Sequence, residues 1–260
     1  MQSTREGAIR IASPGHAVFA AAMVGLGLVG LIQGKFTPTW YGVPKGFPGR
    51  ELLAYLCALV SLVAGVGLLW RRTAVVASRL LLAYLLLWLL LFRLSHIFTE
   101  PKVLDSWWSF GDTAVMAAAA WVLYVWFAGA TGDKGLRIAR ALYALALIPF
   151  GVAHFINLKD TAGLVPGWMP WHLGWAAFTG AAFLVAGVAM LFGVYARLAA
   201  TLSAAQMGLF TLLIWVPMVL TPNPNAFQWS EFIDSCALTA AAWVVADSYR
   251  GVPWLAVRKR

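Results

Sequence analysis

The residues of this 260-residue chain that could do chemistry are few, and they gather near the ends of apolar stretches. Arg93, His96 and Glu100 stand at i, i+3 and i+7, which puts them on one helical face just before Pro101. His154 and Asn157 repeat the i, i+3 spacing at the end of a later stretch, so His96 and His154 fall at similar depth. Asp112 and Asp234 open two further stretches in matched positions. A histidine with a carboxylate nearby could bind and protonate a quinone that lipid delivers. Two histidines at equal depth could instead ligate a haem axially, provided their helices face each other. Structural roles compete for the same residues. Asp112 follows Ser109 by three residues and Asp234 follows Glu231 likewise, the spacing of a capping box that ties down orphan amides. Arg93 could snorkel or pair with Glu100 or Asp112, and each histidine could be a hydrogen-bonded packing residue. No HExxH, GxSxG or Walker motif is present, and no metal site is expected. Cys57 and Cys236 stand alone, which argues against a dithiol centre.

What must position these residues is a membrane bundle. With 62% hydrophobic and 11% charged residues, the chain departs far from soluble domains, which carry about 25% charge. Eight apolar stretches fall at His16–Gly34, Arg50–Trp70, Ala74–Ile97, Ser109–Ala128, Leu136–Asn157, His172–Phe192, Tyr195–Val219 and Glu231–Tyr249. Each is about long enough to cross a hydrocarbon core of ~30 Å. Because lipid offers backbone amides no partners, and because the apolar residues run on instead of alternating, these are helices. The first stretch lacks a small-x-small cleavage site before Lys35 and is expected to be retained, not removed as a signal peptide.

The net charge of +9 raises nucleic acid as a partner, and location removes it. Thirteen of the 19 Lys and Arg residues fall on the N-terminal side of the eight crossings with three acids, a net +10; the other side nets −1. The basicity is therefore topological, with both termini cytoplasmic. The outer loops are the longer ones, and their Trp40, Tyr41, Trp107, Trp108, Trp168, Trp171 and Trp229 read as an aromatic belt.

Shifted by 122 residues, the chain matches itself without a gap over Val43–Val122. Leu62–Val66 falls on Leu184–Val188, Trp107 on Trp229, Asp112 on Asp234, and Ala118–Val122 on Ala240–Val244. Each unit, approximately 16–128 and 137–249, holds an even number of crossings, so the copies run parallel. The expectation is a single membrane domain over 1–260: an all-α integral membrane fold of eight transmembrane helices, in two parallel four-helix repeats that form one bundle.

The second unit carries Gly151-Val152-Ala153-His154-Phe155, then Leu164-Val165-Pro166-Gly167-Trp168-Met169-Pro170-Trp171-His172, then Thr179-Gly180 and Ala186-Gly187-Val188-Ala189. This pattern resembles the DoxX-like group of small four-helix bacterial membrane proteins, here doubled. The resemblance covers Leu136–Asp247 well and the first unit more faintly. It implies the bacterial inner membrane, and it implies a role like that of members that serve as membrane subunits of thiosulfate:quinone oxidoreductase or of assemblies handling sulfur and oxidative stress. The first unit departs from the pattern: at the 122 shift, His154 falls on Ile32 and His96 on Met218, so any histidine site is single and asymmetric.

The leading expectation is an outer-facing polar pocket lined by Arg93, His96, Asp112, His154 and Asp234. It would serve a quinone-interacting or redox-complex membrane subunit, with quinone as ligand, or haem on His96 and His154. The lipid bilayer, periplasmic or membrane redox subunits and a second copy of the chain are the expected partners. A scaffold that docks partners through its Trp- and Pro-rich outer loops, and a small-solute transporter, are the alternatives.

Overall fold

The computed structural model describes residues 11–100, 103–129 and 132–257, and these form helices joined by short connections. The long helices are α1 (Pro14–Gln33), α2 (Arg50–Leu69), α3 (Ala74–Thr99), α4 (Leu104–Ala128) and α5 (Gly132–Ile156). After a short α6 (Leu158–Gly163) come α7 (His172–Phe192), α8 (Ala196–Val219) and α9 (Ala226–Asp247). Seven of them are long and apolar enough to cross a membrane: α1, α2, α3, α7, α8, Ser106–Ala128 of α4 and Asp133–Ile156 of α5. The protein is thus a multi-pass helical membrane protein by the length and composition of its helices. At 22 residues α9 has comparable length, but Gln228, Glu231, Asp234 and Asp247 dilute it, and it is not among the seven.

Local signals account for the helix ends. Ser13 caps α1 by accepting the His16 amide at 3.1 Å, and Pro14 supplies a first-turn residue with no amide to lose. Gly34, at φ 63°, ends it. The capping box on α9 is Asn225 with Gln228, not Glu231 with Asp234. In the same way α4 begins at Leu104, five residues before Ser109. Asp112 and Asp234 therefore lie two turns or more inside their helices, and both are buried. The capping role open to them in the sequence is not the one they fill.

Two helices contain a wider turn. α3 passes through a π turn at Leu89–Leu94, and α8 through another at Thr211–Trp215. Each adds a residue to one turn and so rotates everything beyond it.

The helices pack in a recurring pattern: α1 lies on α2 and α9, and α5 lies on α7 and α4. α3 bridges α2 and α4, α8 bridges α7 and α9, and α4 meets α9 at the centre. Small side chains permit this central approach, since Ala114–Ala120 of α4 and Ala240–Ala242 of α9 are fully buried. The outward faces are apolar too, as at Leu52, Val76, Phe178 and Leu212, which is the surface a bilayer solvates.

The α1–α2 crossing is the tightest between the first helices. A Cβ on Gly27 would lie 2.6 Å from the Leu62 amide nitrogen and 2.7 Å from the Ala58 carbonyl oxygen. Backbone cannot yield as a side-chain tip does, so the helices must separate. Gly27→Ala is expected to cost about 1–3 kcal/mol, the usual penalty of overpacking, and thermal unfolding in detergent would register it as a lowered midpoint.

Candidate functional site

Part of the connection between α1 and α2 does not sit on the surface. Thr37, Thr39 and Trp40 are all but fully buried, because Phe36–Trp40 turns back between the helices through a short 3-10 segment at Pro38–Trp40. This fold of loop presents backbone carbonyls to the interior, where they need donors. Arg93 supplies them. Its position in the π turn of α3 directs it inward, and only 3% of it is exposed. Its Nη2 donates to the Pro38 carbonyl at 2.8 Å and the Thr39 carbonyl at 3.3 Å, and its Nε donates to Thr113 Oγ1 at 3.1 Å. Thr39 Oγ1 in turn donates to Asp234 Oδ1 at 2.5 Å. One guanidinium thus ties α3, α4 and the loop together, and through Thr39 it is linked to α9. Arg93 also interacts electrostatically with Asp234 across this link.

Beside this centre lies a cavity of about 690 Å³, within the size range of small-molecule sites. Asp112, Asp234, Glu231, Tyr41 and His154 are among the residues that line it. Burial pushes the Tyr41 phenol up from its ordinary value; the Glu231 and Asp234 carboxylates push the same way, and Arg93 opposes them. Most of the remaining lining is aromatic or aliphatic, including Trp108, Phe150, Phe183, Phe210 and Trp215. The wall runs out to Phe178, Leu202 and Leu209, which are 62%, 59% and 53% exposed on the apolar outer faces of α7 and α8. The cavity therefore opens sideways, between α7 and α8, onto the surface that lipid covers.

His154 is held in one orientation. Its Nδ1 lies 2.8 Å from the Phe150 carbonyl, one turn back on α5. A carbonyl oxygen only accepts, so Nδ1 carries the proton and Nε2 of the neutral ring is an acceptor. Trp108 and Phe210 stack on the imidazole, at 5.9 Å and 7° and at 6.0 Å and 21°, while Phe183 meets it edge-on at 5.5 Å. α7 approaches closely enough for this only because residue 180 is glycine: a Cβ there would fall 2.6 Å from the His154 Cβ. Among the described residues no hydrogen-bonding group meets Nε2, although His154 is 97% buried by its 3% exposure and lines the cavity.

Of the five residues expected to line one pocket, Asp112, His154 and Asp234 line the cavity, and Arg93 stands behind it holding the loop. His96 does not join them. Its imidazole, 38% exposed, faces Glu100 at 4.0 Å on the same helix. At the end of the π turn and beyond, the buried line of α3 runs through Arg93 and Ile97; His96 stands beside that line and Glu100 at the helix end, so the expected face is not kept. His154 lines this cavity and His96 does not, so the cavity does not bring the two histidines together as axial haem ligation would need. The pocket also differs in character from the polar, outer-facing one expected, being largely apolar with a lateral mouth. Sequence reasoning passed over Thr39, Phe183, Gln206 and Phe210. The one signal for Thr39 was its place in a loop where apolar and aromatic residues crowd. Compared with family models, with curated proteins and with solved structures, the chain has no significant match.

Proposed function

We propose that this protein draws a lipophilic ring compound of the quinol type from the bilayer into the cavity between α5, α7 and α8. One observation carries the reading: a 690 Å³ aromatic cavity opens onto the lipid-facing surface and presents a buried imidazole acceptor, His154 Nε2. An apolar tail would follow the mouth past Phe178 and Leu209, and the ring would enter among Trp108, Phe183 and Phe210. A quinol hydroxyl donates a hydrogen bond, which is what Nε2 requires; a quinone carbonyl only accepts, and would look instead to a protonated carboxyl of Asp112 or Asp234.

The wider reading follows the sequence. The chain spans the bacterial inner membrane eight times, with α9 as the last crossing, as two parallel four-helix repeats and with both termini cytoplasmic. It works as a DoxX-like membrane subunit that handles quinol beside a redox partner. In support, the charge imbalance runs +10 against −1 between the two sides, and a central α9 walled in by α1, α4 and α8 can carry Asp234 in the bundle interior.

The test uses purified protein in lipid nanodiscs and 2-heptyl-4-hydroxyquinoline N-oxide, a fluorescent quinol analogue. Wild type is expected to quench the probe saturably. Thr161→Trp, which places an indole on the cavity wall at a half-buried position, is expected to remove the saturable part while the protein stays folded. Equal quenching by both, or none by wild type, would sink the reading. The scaffold alternative has an observation of its own. Trp171 is 83% exposed and holds a left-handed backbone at φ 65°, and nearby Trp168 is 75% exposed. Backbone strain of this kind gathers at functional positions, and here it holds a large aromatic out from the surface. On that reading, Trp168→Ala and Trp171→Ala abolish co-purification of a partner and Thr161→Trp does not.

A further inference from the structure

The first half of the chain builds the same niche and fills it itself. Trp40, 1% exposed, sits with its ring edge-on to Tyr84 and Trp88, each at 5.3 Å, and its Nε1 donates to Ser61 Oγ at 2.9 Å. Adding 122 to Tyr84, Trp88 and Ser61 gives Gln206, Phe210 and Phe183, and all three line the cavity. The segment that the same shift aligns with Pro38–Trp40 is Asp160–Ala162, in α6, which has no aromatic residue to insert.

Helix contacts fix the correspondence more closely than sequence does. Gly65 packs on Ala20 and Val24, and its counterpart Gly187 packs on Ala144 and Ile148, so α1 matches α5 at a shift of 124. The spatial counterpart of His154 is then Gly30, not Ile32. Their neighbours exchange in step: Gly30 packs against Ala58, and His154 against Gly180, which is Ala58 shifted by 122. Between the halves the hydrogen-bond acceptor has moved as well. Ser61 accepts from the indole in the first niche, and in the second, where Phe183 replaces that serine, the imidazole at 154 offers Nε2.

We propose that the cavity takes a planar fused-bicyclic ring that sets one donor on His154 Nε2, of the naphthoquinol or hydroxyquinoline kind, in the place that the first half fills with the indole of Trp40. The chain then has one open site and one self-occupied twin. The Trp40 side chain is the template for the ligand: two fused rings, apolar faces between aromatic neighbours, and a single N–H or O–H donated to a buried acceptor. This inference rests on the quinol reading of the same cavity and narrows it from ring compounds in general to a bicycle.

Binding of 2-heptyl-4-hydroxyquinoline N-oxide to protein in nanodiscs, with empty nanodiscs subtracted, measures the stoichiometry. Wild type is expected to saturate at one probe per chain, and Trp40→Ala, which empties the first niche, at two. A monodisperse Trp40→Ala protein that saturates at one would overturn the proposal and leave the quinol reading standing. No saturable binding to wild type would overturn both. If Trp40→Ala does not fold, ring width in wild type decides. An acridone bearing the same heptyl tail is expected to bind at least about tenfold more weakly than the bicycle, some 1.4 kcal/mol. Equal affinity for the tricycle would overturn the template, whatever the variant does.

Discussion

Arg93→Met is expected to be the most damaging single substitution in the protein, lowering stability by about 3–5 kcal/mol, the range for removing one partner of a buried charge pair. Methionine keeps most of the unbranched apolar stem but lacks the guanidinium, so the buried hydrogen bonds and the charge are lost together. The substitution strands the Pro38 and Thr39 carbonyls, which Nη2 satisfies at 2.8 and 3.3 Å, and takes the compensating charge away from Asp234. A double-mutant cycle with Asp234→Asn separates these effects. Once Arg93 is gone, Asp234→Asn is expected to be neutral or stabilising, because it removes a carboxylate that has lost its counter-charge. In the wild-type background the same change is expected to be destabilising. Strictly additive costs, measured by chemical denaturation in mixed micelles, would show that the two residues do not act as a unit.

The second large effect is on binding. His154→Phe keeps an aromatic ring between Trp108 and Phe210 and deletes the acceptor. It is expected to weaken the hydroxyquinoline probe by about ten- to a hundredfold, as leaving one buried donor unsatisfied costs about 1–3 kcal/mol. Thermal stability should change little by comparison, since the bond lost inside the protein is one Nδ1–H to the carbonyl of Phe150. Undiminished affinity would mean that the ligand is held by the aromatic walls alone. His154→Gln, which restores an acceptor without a ring, is expected to recover part of the loss.

The membrane helices were legible because their signal is continuous: apolar runs of about 20 residues need no partner to be recognised. Their starts were less so. α4 and α9 begin five residues before the expected Ser109 and Glu231, because a helix inside a bundle can carry polar residues such as Ser106 and Gln228 in its first turns. Position in an aromatic belt accounts for Trp168 and Trp171, which are exposed, and fails for Trp40, which is buried. Nothing local tells these tryptophans apart. What buries Trp40 is Ser61, Tyr84 and Trp88, 21 to 48 residues away. The candidate site was half legible for the same reason. Asp112, His154 and Asp234 stood out as polar residues in apolar surroundings. That the buried line of α3 runs through Arg93 and Ile97, with His96 beside it, depends on what packs against the helix, which the 3.6-residue periodicity used to place Arg93 and His96 on one face cannot show.

The π turn of α3 changes which mutations the C-terminal end of that helix can accept. A π turn is a shift in helical phase: one extra residue swings all that follows by about 100° around the axis. Removing any single residue from Leu89–Leu94 would undo the shift, carrying Arg93 away from the loop carbonyls toward another sector of the helix, even if the residue removed were an unremarkable leucine such as Leu90 or Leu91, both exposed. The same holds for Thr211–Trp215, whose phase sets where Trp215 stands on the cavity wall. At exposed positions of these two segments, such as Leu90, Leu91 and Leu212, the spacing of the chain matters more than the side chain, so a library of one-residue deletions should find the segments as the deepest minima within α3 and α8, while point substitutions at those positions are mild.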